Sequence, residues 1–328
     1  MRTVLAGVLV CAVVASCVAR PEWQGPLPVR NQHPAQLTVM HMAPASAGVL
    51  AAGKASARLD AAYSSLFLDG ASPDASFFMD GEYLRVAASV RVGLGRGLEV
   101  STELPFAHTT GGFLDSFIID YHDAFGLPDQ DRKTFPQDQF DIVATQGPNE
   151  VFRVDRDSFE LLDVPVQVGV AIVEPGLERI GVKVRGGVEL PTGDDERGYG
   201  SGQLDASAGV VLEYRMATVA WYGHAQHTFA GTPDPASRAG FHFADVTSAG
   251  LGVELPFASD VHGFVQIEWE TSTLRNLDLQ VTSRDQVLLW AGARWHVTPH
   301  VGLEVGLGED LQVLVSPDFT GWLGMVWQ

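Results

Sequence analysis

Cysteine is nearly absent. The chain has 2, Cys11 and Cys17, both at its start, so no disulfide and no thiolate metal site can form past residue 17. Positive charge is scarce too: 21 Lys+Arg against 40 Asp+Glu give a formal net charge of -19. Nucleic-acid binding needs a basic footprint and is excluded. No run of eighteen apolar residues follows residue 20, which excludes a transmembrane helix. Low-complexity runs are also missing, and with 46% hydrophobic residues the chain has the apolar surface to fold. Catalytic motifs are the last absence. There is no G-x-S-x-G elbow, H-E-x-x-H, C-x-x-C or P-loop. Gly93-Leu94-Gly95-Arg96-Gly97 lies between two strands, where no helix follows to hold a phosphate.

What is present begins with an export signal. Arg2 precedes an apolar run from Val4 to Val14, and small residues follow at Ala15 and Ser16. Val14-Ala15-Ser16-Cys17 fits the lipobox of bacterial lipoproteins, which makes Cys17 the lipidation candidate; the alternative is ordinary cleavage after Ala19. The expected layout is a signal over 1–19, a periplasmic or plug segment over 20–54, and a barrel over 55–328. Within the second of these, 36–42 is read as either an extra strand or a short inner plug.

From residue 55 the hydrophobic period is two. Leu84, Val86, Ala88, Val90 and Val92 alternate with Tyr83, Arg85, Ala87, Ser89 and Arg91, which makes a strand with one apolar and one polar face. The pattern recurs over 98–104, 164–172, 180–190, 204–214, 219–221, 261–269, 287–297, 301–307 and 319–327, more weakly over 57–67 and 245–255. About twelve strands result, most near the roughly 9–11 residues of a tilted membrane-spanning strand. Their connections alternate. Short links at 95–97, 174–178, 215–216, 256–260 and 298–299 interleave with long ones at 69–81, 107–158, 191–203, 230–243, 271–284 and 308–318. Such alternation predicts an all-β, antiparallel, up-and-down transmembrane barrel with tight periplasmic turns and long outer loops. Both chain ends then lie in the periplasm, where the penultimate Trp327, with Gln328 after it, departs slightly from the usual terminal aromatic.

The two faces of the strands meet different surroundings. One is aliphatic, with Trp221, Trp269, Trp295 and Trp327 near strand ends as interfacial aromatics. The other carries Arg85, Arg91, Lys183, Arg185 and Arg294, and Glu99, Glu103, Asp163, Glu189, Asp205, Glu213, Glu268, Glu270 and Glu304. Charges at that density suit a hydrated lumen, where they either pair with one another, as Arg91 can with Glu99 or Glu103 across one hairpin, or set selectivity. The lumen candidates are Arg85, Arg91, Lys183, Arg185, Arg294, Glu99, Glu103 and Glu268. His224 and His227 are no metal pair, because a spacing of three on a strand sends them to opposite faces.

The loop over 107–158 holds ten acids and four bases. A helix from Gly112 to Phe125 would put Leu114, Phe117, Ile118, Tyr121 and Phe125 on one face, expected to cap the barrel mouth. Asp115, Asp120, His122, Asp123 and Arg132 are its binding candidates, either as a solvated face or as an acidic site for a hard cation.

Gly25-Pro26-Leu27-Pro28-Val29-Arg30-Asn31-Gln32-His33-Pro34 and Ile119-Asp120-Tyr121-His122-Asp123-Ala124-Phe125-Gly126-Leu127-Pro128 with Arg132 together resemble an uncharacterised family of Gram-negative outer-membrane proteins known only as a domain of unknown function. The resemblance covers most of the chain after residue 24; it implies a barrel in the envelope and no established activity. Leu190-Pro191-Thr192-Gly193-Asp194 with Gly198, Gly200, Gly202 and Asp205 is similar, more loosely, to a loop of barrels associated with uptake of aromatic compounds, although any hairpin loop recruits Gly and Asp.

The expected function is therefore a passive channel or transport-related barrel for small solutes in the outer membrane of a Gram-negative bacterium. Its partners would be outer-membrane lipid, the barrel assembly machinery and a small-molecule solute. The alternative is a closed barrel whose acidic outer loops meet a partner or ligand, with a lipid hydrolase or protease ranked behind both; no cofactor, metal or catalytic residue is assigned. A continuous path past Arg85, Arg91, Lys183 and Arg185 would favour the conduit, and a filled lumen the closed barrel. Carboxylates around the mouth should admit cations or neutral solutes more readily than anions.

Overall fold

A computed structural model of the chain describes residues 23–126, 132–156, 158–312, 316–317 and 319–328. The signal and Cys17 lie outside the described residues. Fifteen strands form one sheet: β1 (Ala55–Ala71), β2 (Ala75–Gly95), β3 (Leu98–Thr110), β4 (Asp141–Gln146), β5 (Asn149–Val154), β6 (Ser158–Leu161), β7 (Val164–Val173), β8 (Ile180–Leu190), β9 (Asp205–Arg215), β10 (Ala220–Phe229), β11 (Val246–Pro256), β12 (Val261–Glu270), β13 (Gln286–Thr298), β14 (Val301–Asp310) and β15 (Phe319–Trp327). Twelve of them close a ring. β1 pairs with β2, β2 with β3, β3 with β7, and each strand from β7 to β15 with the next. β15 then returns antiparallel to β1, from Ala57 opposite Trp327 to Ser65 opposite Phe319. Among the described residues every pairing between these strands is antiparallel, so the fold is the expected twelve-stranded up-and-down barrel. Among the described residues no helix is long and apolar enough to cross a membrane.

Side-chain alternation sorts the wall as the sequence pattern predicts. Leu251, Leu323 and Ile180 point outward and are more than half exposed, while Lys183, Glu213 and Arg294 point inward and are 2% exposed or less. An unpaired charge on the outer face would cost about 2–4 kcal/mol at the bilayer midplane, which keeps that face aliphatic. Trp221, Trp295 and Trp327 are partly exposed on the outer face near strand ends, whereas Trp290 and Trp322 are buried inside. The short links are as expected. At Gly95-Arg96-Gly97 all three residues have positive φ, a conformation that glycine adopts without a Cβ clash.

Three expectations about the long loops change. Residues 69–81 are not a loop: β1 and β2 run on to a turn at 72–74, and the extension of β2 recruits β4 over Ala75–Asp80. The 107–158 stretch holds a helix over Asp115–Phe125, starting three residues later than expected, plus the β4–β5 hairpin and β6, none of which its pattern announced. That helix does not cap the mouth. It sits against the outward face of β1–β2, where Glu82 accepts from the Phe113 and Leu114 amides, and Arg132 donates to Ser65 Oγ at 2.7 Å. The mouth is filled instead by an apolar cluster in which Ala35, Leu37 and Val39 of the N-terminal segment pack with Leu66, Phe77 and Met79 of the hairpin and with Phe152, Phe241, Phe243, Leu274 and Val281 of the other loops.

Candidate functional site

The lumen is occupied by the chain's own N-terminal segment. Gln24 meets Gln328 at the short-turn end, and from there the segment climbs the β12–β13 wall. Leu27 and Gln266 exchange two hydrogen bonds, at 2.7 and 3.1 Å. Asn31 donates to Glu270 at 2.8 Å and to Gln286, and Gln36 donates to Glu270 at 2.8 Å. A short helix over Pro34–Leu37 turns the chain. The return leg descends along β8–β10: the Met40 amide donates to Asp205 at 3.0 Å, that of Met42 to Gln226 at 3.2 Å, and that of Ala47 to Glu213 at 2.8 Å. Residues 36–42 thus form a helical turn and irregular chain, without a strand.

Sequence explains this arrangement. Pro26, Pro28, Pro34 and Pro44 remove backbone donors and forbid a regular ladder, so the remaining buried amides must find side-chain acceptors. The inward carboxylates and glutamines of the wall supply them. Their part in cradling a segment was missed from sequence; the available signal was a proline-rich, aperiodic stretch ahead of a lumen with more carboxylates than cations to pair with them.

The lumen candidates fall into linked pairs. Arg85 is ion-paired with Glu103, Lys183 lies 3.0 Å from Glu99, and Arg91 approaches the same Glu99 at 3.7 Å. Arg294 and Arg58 both contact Glu304, and Arg58 also reaches Asp60 at 3.2 Å. Arg185 donates to the carbonyls of Met42, at 2.8 Å, and Ala43, so it clamps the segment. Glu268 lies 3.1 Å from His224, on the same inner face, while His227 faces outward. Around the short-turn end a cavity of about 170 Å³ remains, lined by Arg58, Arg91, Lys183, Arg185 and Arg294 against Asp60, Glu99 and Glu103. Arg85 lies beyond it, buried.

The loop candidates do not converge. Asp115 is buried 3.2 Å from Arg132, and it accepts from the Asp138 amide at 2.7 Å. Asp123 is exposed and paired with Lys133; Asp120 is exposed elsewhere on the helix. His122 belongs to the same helix, its side chain outside those described. Among the described residues no three of His, Cys, Asp and Glu gather so as to hold a metal ion. The glycine-rich loop after β8 is tied down by Asp163, whose carboxylate accepts from the amides of Thr192, Gly193 and Ser201 at 2.7–2.9 Å. Burial lowers the His33 imidazole to about 4; it stacks on Phe77, and its Nδ1 accepts from the Ala35 amide.

A family model described as a protein of unknown function, DUF3187, matches residues 2–328. No curated protein matches the sequence. Among solved structures, an outer membrane channel from Pseudomonas putida F1 aligns over 88% of this chain and 99% of its own, with a TM-score of 0.55 at 11% identity. The NanC porin aligns over 83% and 99%, with a TM-score of 0.43 at 9% identity. A monoaromatic hydrocarbon channel, CymD, aligns over 93% and 97%, with 0.39 at 9%. At such identity the first of these establishes the barrel fold.

Proposed function

Because this chain belongs to the DUF3187 family of unknown function and folds as a membrane-type barrel, we infer that it is a passive channel for small solutes in the outer membrane of a Gram-negative bacterium, held shut by residues 24–50. One observation carries the reading: the segment fills the lumen through hydrogen bonds to polar wall residues, such as Leu27 to Gln266 and Met40 to Asp205. A wall that binds its filling this way stays wettable when the filling leaves, and the cavity at the short-turn end already brings solvent to Arg91 and Glu103. Transport by this route needs no cofactor and no catalytic group. The first described residue, Trp23, stands at the short-turn end beside His262. An export signal over 1–19, cleaved after Ala19 or lipidated at Cys17, would therefore deliver the chain from the periplasm, where the barrel assembly machinery would insert it.

The test is conductance in a planar bilayer, comparing the full chain with a variant lacking residues 24–50. The full chain should show little or no stepwise current, and the deletion variant frequent openings. A heat-modifiable, folded deletion variant that stays silent would refute the channel. The apolar cluster across the mouth favours the second reading, a closed barrel whose outer loops bind a partner, and that silence is the result it predicts.

A further inference from the structure

The lobe formed by residues 111–126 and 132–140 ends in an exposed aromatic face. Phe113 is 71% exposed and Phe117 53%, unusual for phenylalanine at the surface of a folded lobe. Their neighbours show what lies against them. The Phe113 ring stacks on Tyr63, with centroids 5.9 Å apart, and Phe117 approaches Phe319 at 6.5 Å. Tyr63 and Phe319 belong to the outward rows of β1 and β15, the rows that carry Leu59 and Leu323 toward lipid.

The height of this patch follows from strand geometry. Phe319 is eight residues from Trp327, which marks the short-turn boundary. Eight residues span roughly 27 Å of strand, or about 20 Å along the membrane normal at a tilt near 40°, close to the roughly 25 Å apolar band of such barrels. Above Tyr63 the outward row of β1 stops being exposed: Ser65 and Phe67 are fully covered, with Arg132 and Phe135 of the lobe against Phe67. The lobe therefore begins where the lipid-facing belt ends, and Phe113 and Phe117 lie at that boundary. Glu82 and the Asp115–Arg132 pair fix it there.

We propose that this lobe is a membrane-interface anchor, inserting Phe113 and Phe117 into the outer leaflet beside Tyr63 and Phe319. The occupant is the lipid of the surrounding bilayer, because the patch continues the lipid-facing belt without a break. Aromatic rings suit that depth, where an apolar body meets a polar boundary. It holds whether or not the lumen conducts, and needs only a barrel seated in a membrane.

Nitroxide labels placed singly by Phe113→Cys, Phe117→Cys, Asp123→Cys and Leu323→Cys, with Cys11 and Cys17 replaced by serine, test it in liposomes through collision with oxygen and with a water-soluble nickel chelate. Leu323 reports membrane seating and Asp123 the aqueous side of the lobe. The oxygen-to-nickel ratio at 113 and 117 should exceed that at 123 several-fold and approach that at 323. Equal ratios at 113, 117 and 123, with 323 reading lipid, would overturn the proposal. Should a cysteine variant fail to refold, hydroxyl-radical footprinting of the unaltered chain reads the same face. Normalised to the unfolded chain, Phe113 and Phe117 should oxidise several-fold less than the exposed loop residue His242, and equal oxidation would refute insertion.

Discussion

Glu304 stands between two guanidinium groups, those of Arg58 and Arg294, with its side chain fully buried. Buried charges of this kind persist only while each has its partner, and removing one costs about 3–5 kcal/mol. Glu304→Gln should therefore lower the midpoint of heat modifiability markedly, whereas Glu103→Gln, in a pair whose carboxylate is a quarter exposed, should cost less. Equal shifts would mean that the Glu304 cluster is no better insulated than the vestibule. Alternation alone placed Arg294 and Glu304 on the inner face. It did not single out Arg58 and Asp60, because the outward row of β1 there is Ala57, Leu59 and Ala61 and the contrast between rows is weak. A second residue-level prediction concerns pH. His33 has an ordinary value of 6.5 and is lowered to about 4 by burial, so the seated segment holds it neutral. A released His33 takes up a proton below 6.5 that the seated one refuses until about 4. The stabilisation is thus complete above pH 6.5 and drains as pH falls toward 4, by up to about 3 kcal/mol. His33→Asn keeps a good helix N-cap without titrating. Between pH 7 and 5 the wild type should lose more protease resistance in residues 24–50 than this variant, and parallel curves would remove His33 as the cause.

At the scale of elements, the membrane-spanning stretches were readable because water and lipid impose opposite demands on alternate residues. Where protein covers both sides of a strand, that contrast disappears. Leu66-Phe67-Leu68 and Phe77-Phe78-Met79 are apolar on both faces, the inner face meeting the mouth cluster and the outer face the lobe. This is why the extension of β1–β2 reads as a loop in sequence, and why the 107–158 stretch, which covers it, hides its β4–β5 hairpin. The N-terminal segment was opaque for a related reason, since an irregular chain has no period and its partners lie some two hundred residues away, as Gln266 does from Leu27. The lobe's attachment makes a prediction of its own. Arg132→Met leaves Asp115 buried without its cation, so cleavage within 111–140 should accelerate about tenfold or more, while the barrel keeps its heat-modifiable fold. Unchanged cleavage would mean that Glu82 and the aromatic contacts hold the lobe without the ion pair.

For the whole molecule, two fields of opposite sign act on any ion that enters. The outer loops are acidic: residues 107–158 alone carry ten acids against four bases. The vestibule at the other end is lined by five cations, Arg58, Arg91, Lys183, Arg185 and Arg294, against Asp60, Glu99 and Glu103, with Glu304 and Glu254 buried behind Arg294. Acidic composition alone argued for cation preference, but the lumen face nearest the cavity argues against it. Salt separates the two. The Debye length is about 30 Å at 0.01 M and about 3 Å at 1 M, so distant loops are felt in dilute salt, and only charges at the wall of the path are felt in concentrated salt. The variant lacking residues 24–50 adds the uncovered Asp205, Glu213 and Glu270 to the wall, so it should keep a cation preference that weakens from dilute to concentrated salt, read from reversal potentials across matched gradients. Lys183→Met should move the concentrated-salt value back toward cations, since Glu99 then keeps only the more distant Arg91. A cation preference undiminished in concentrated salt would instead place the selective step at the uncovered carboxylates of the wall, and would leave the vestibule cations to hold the segment in its seat.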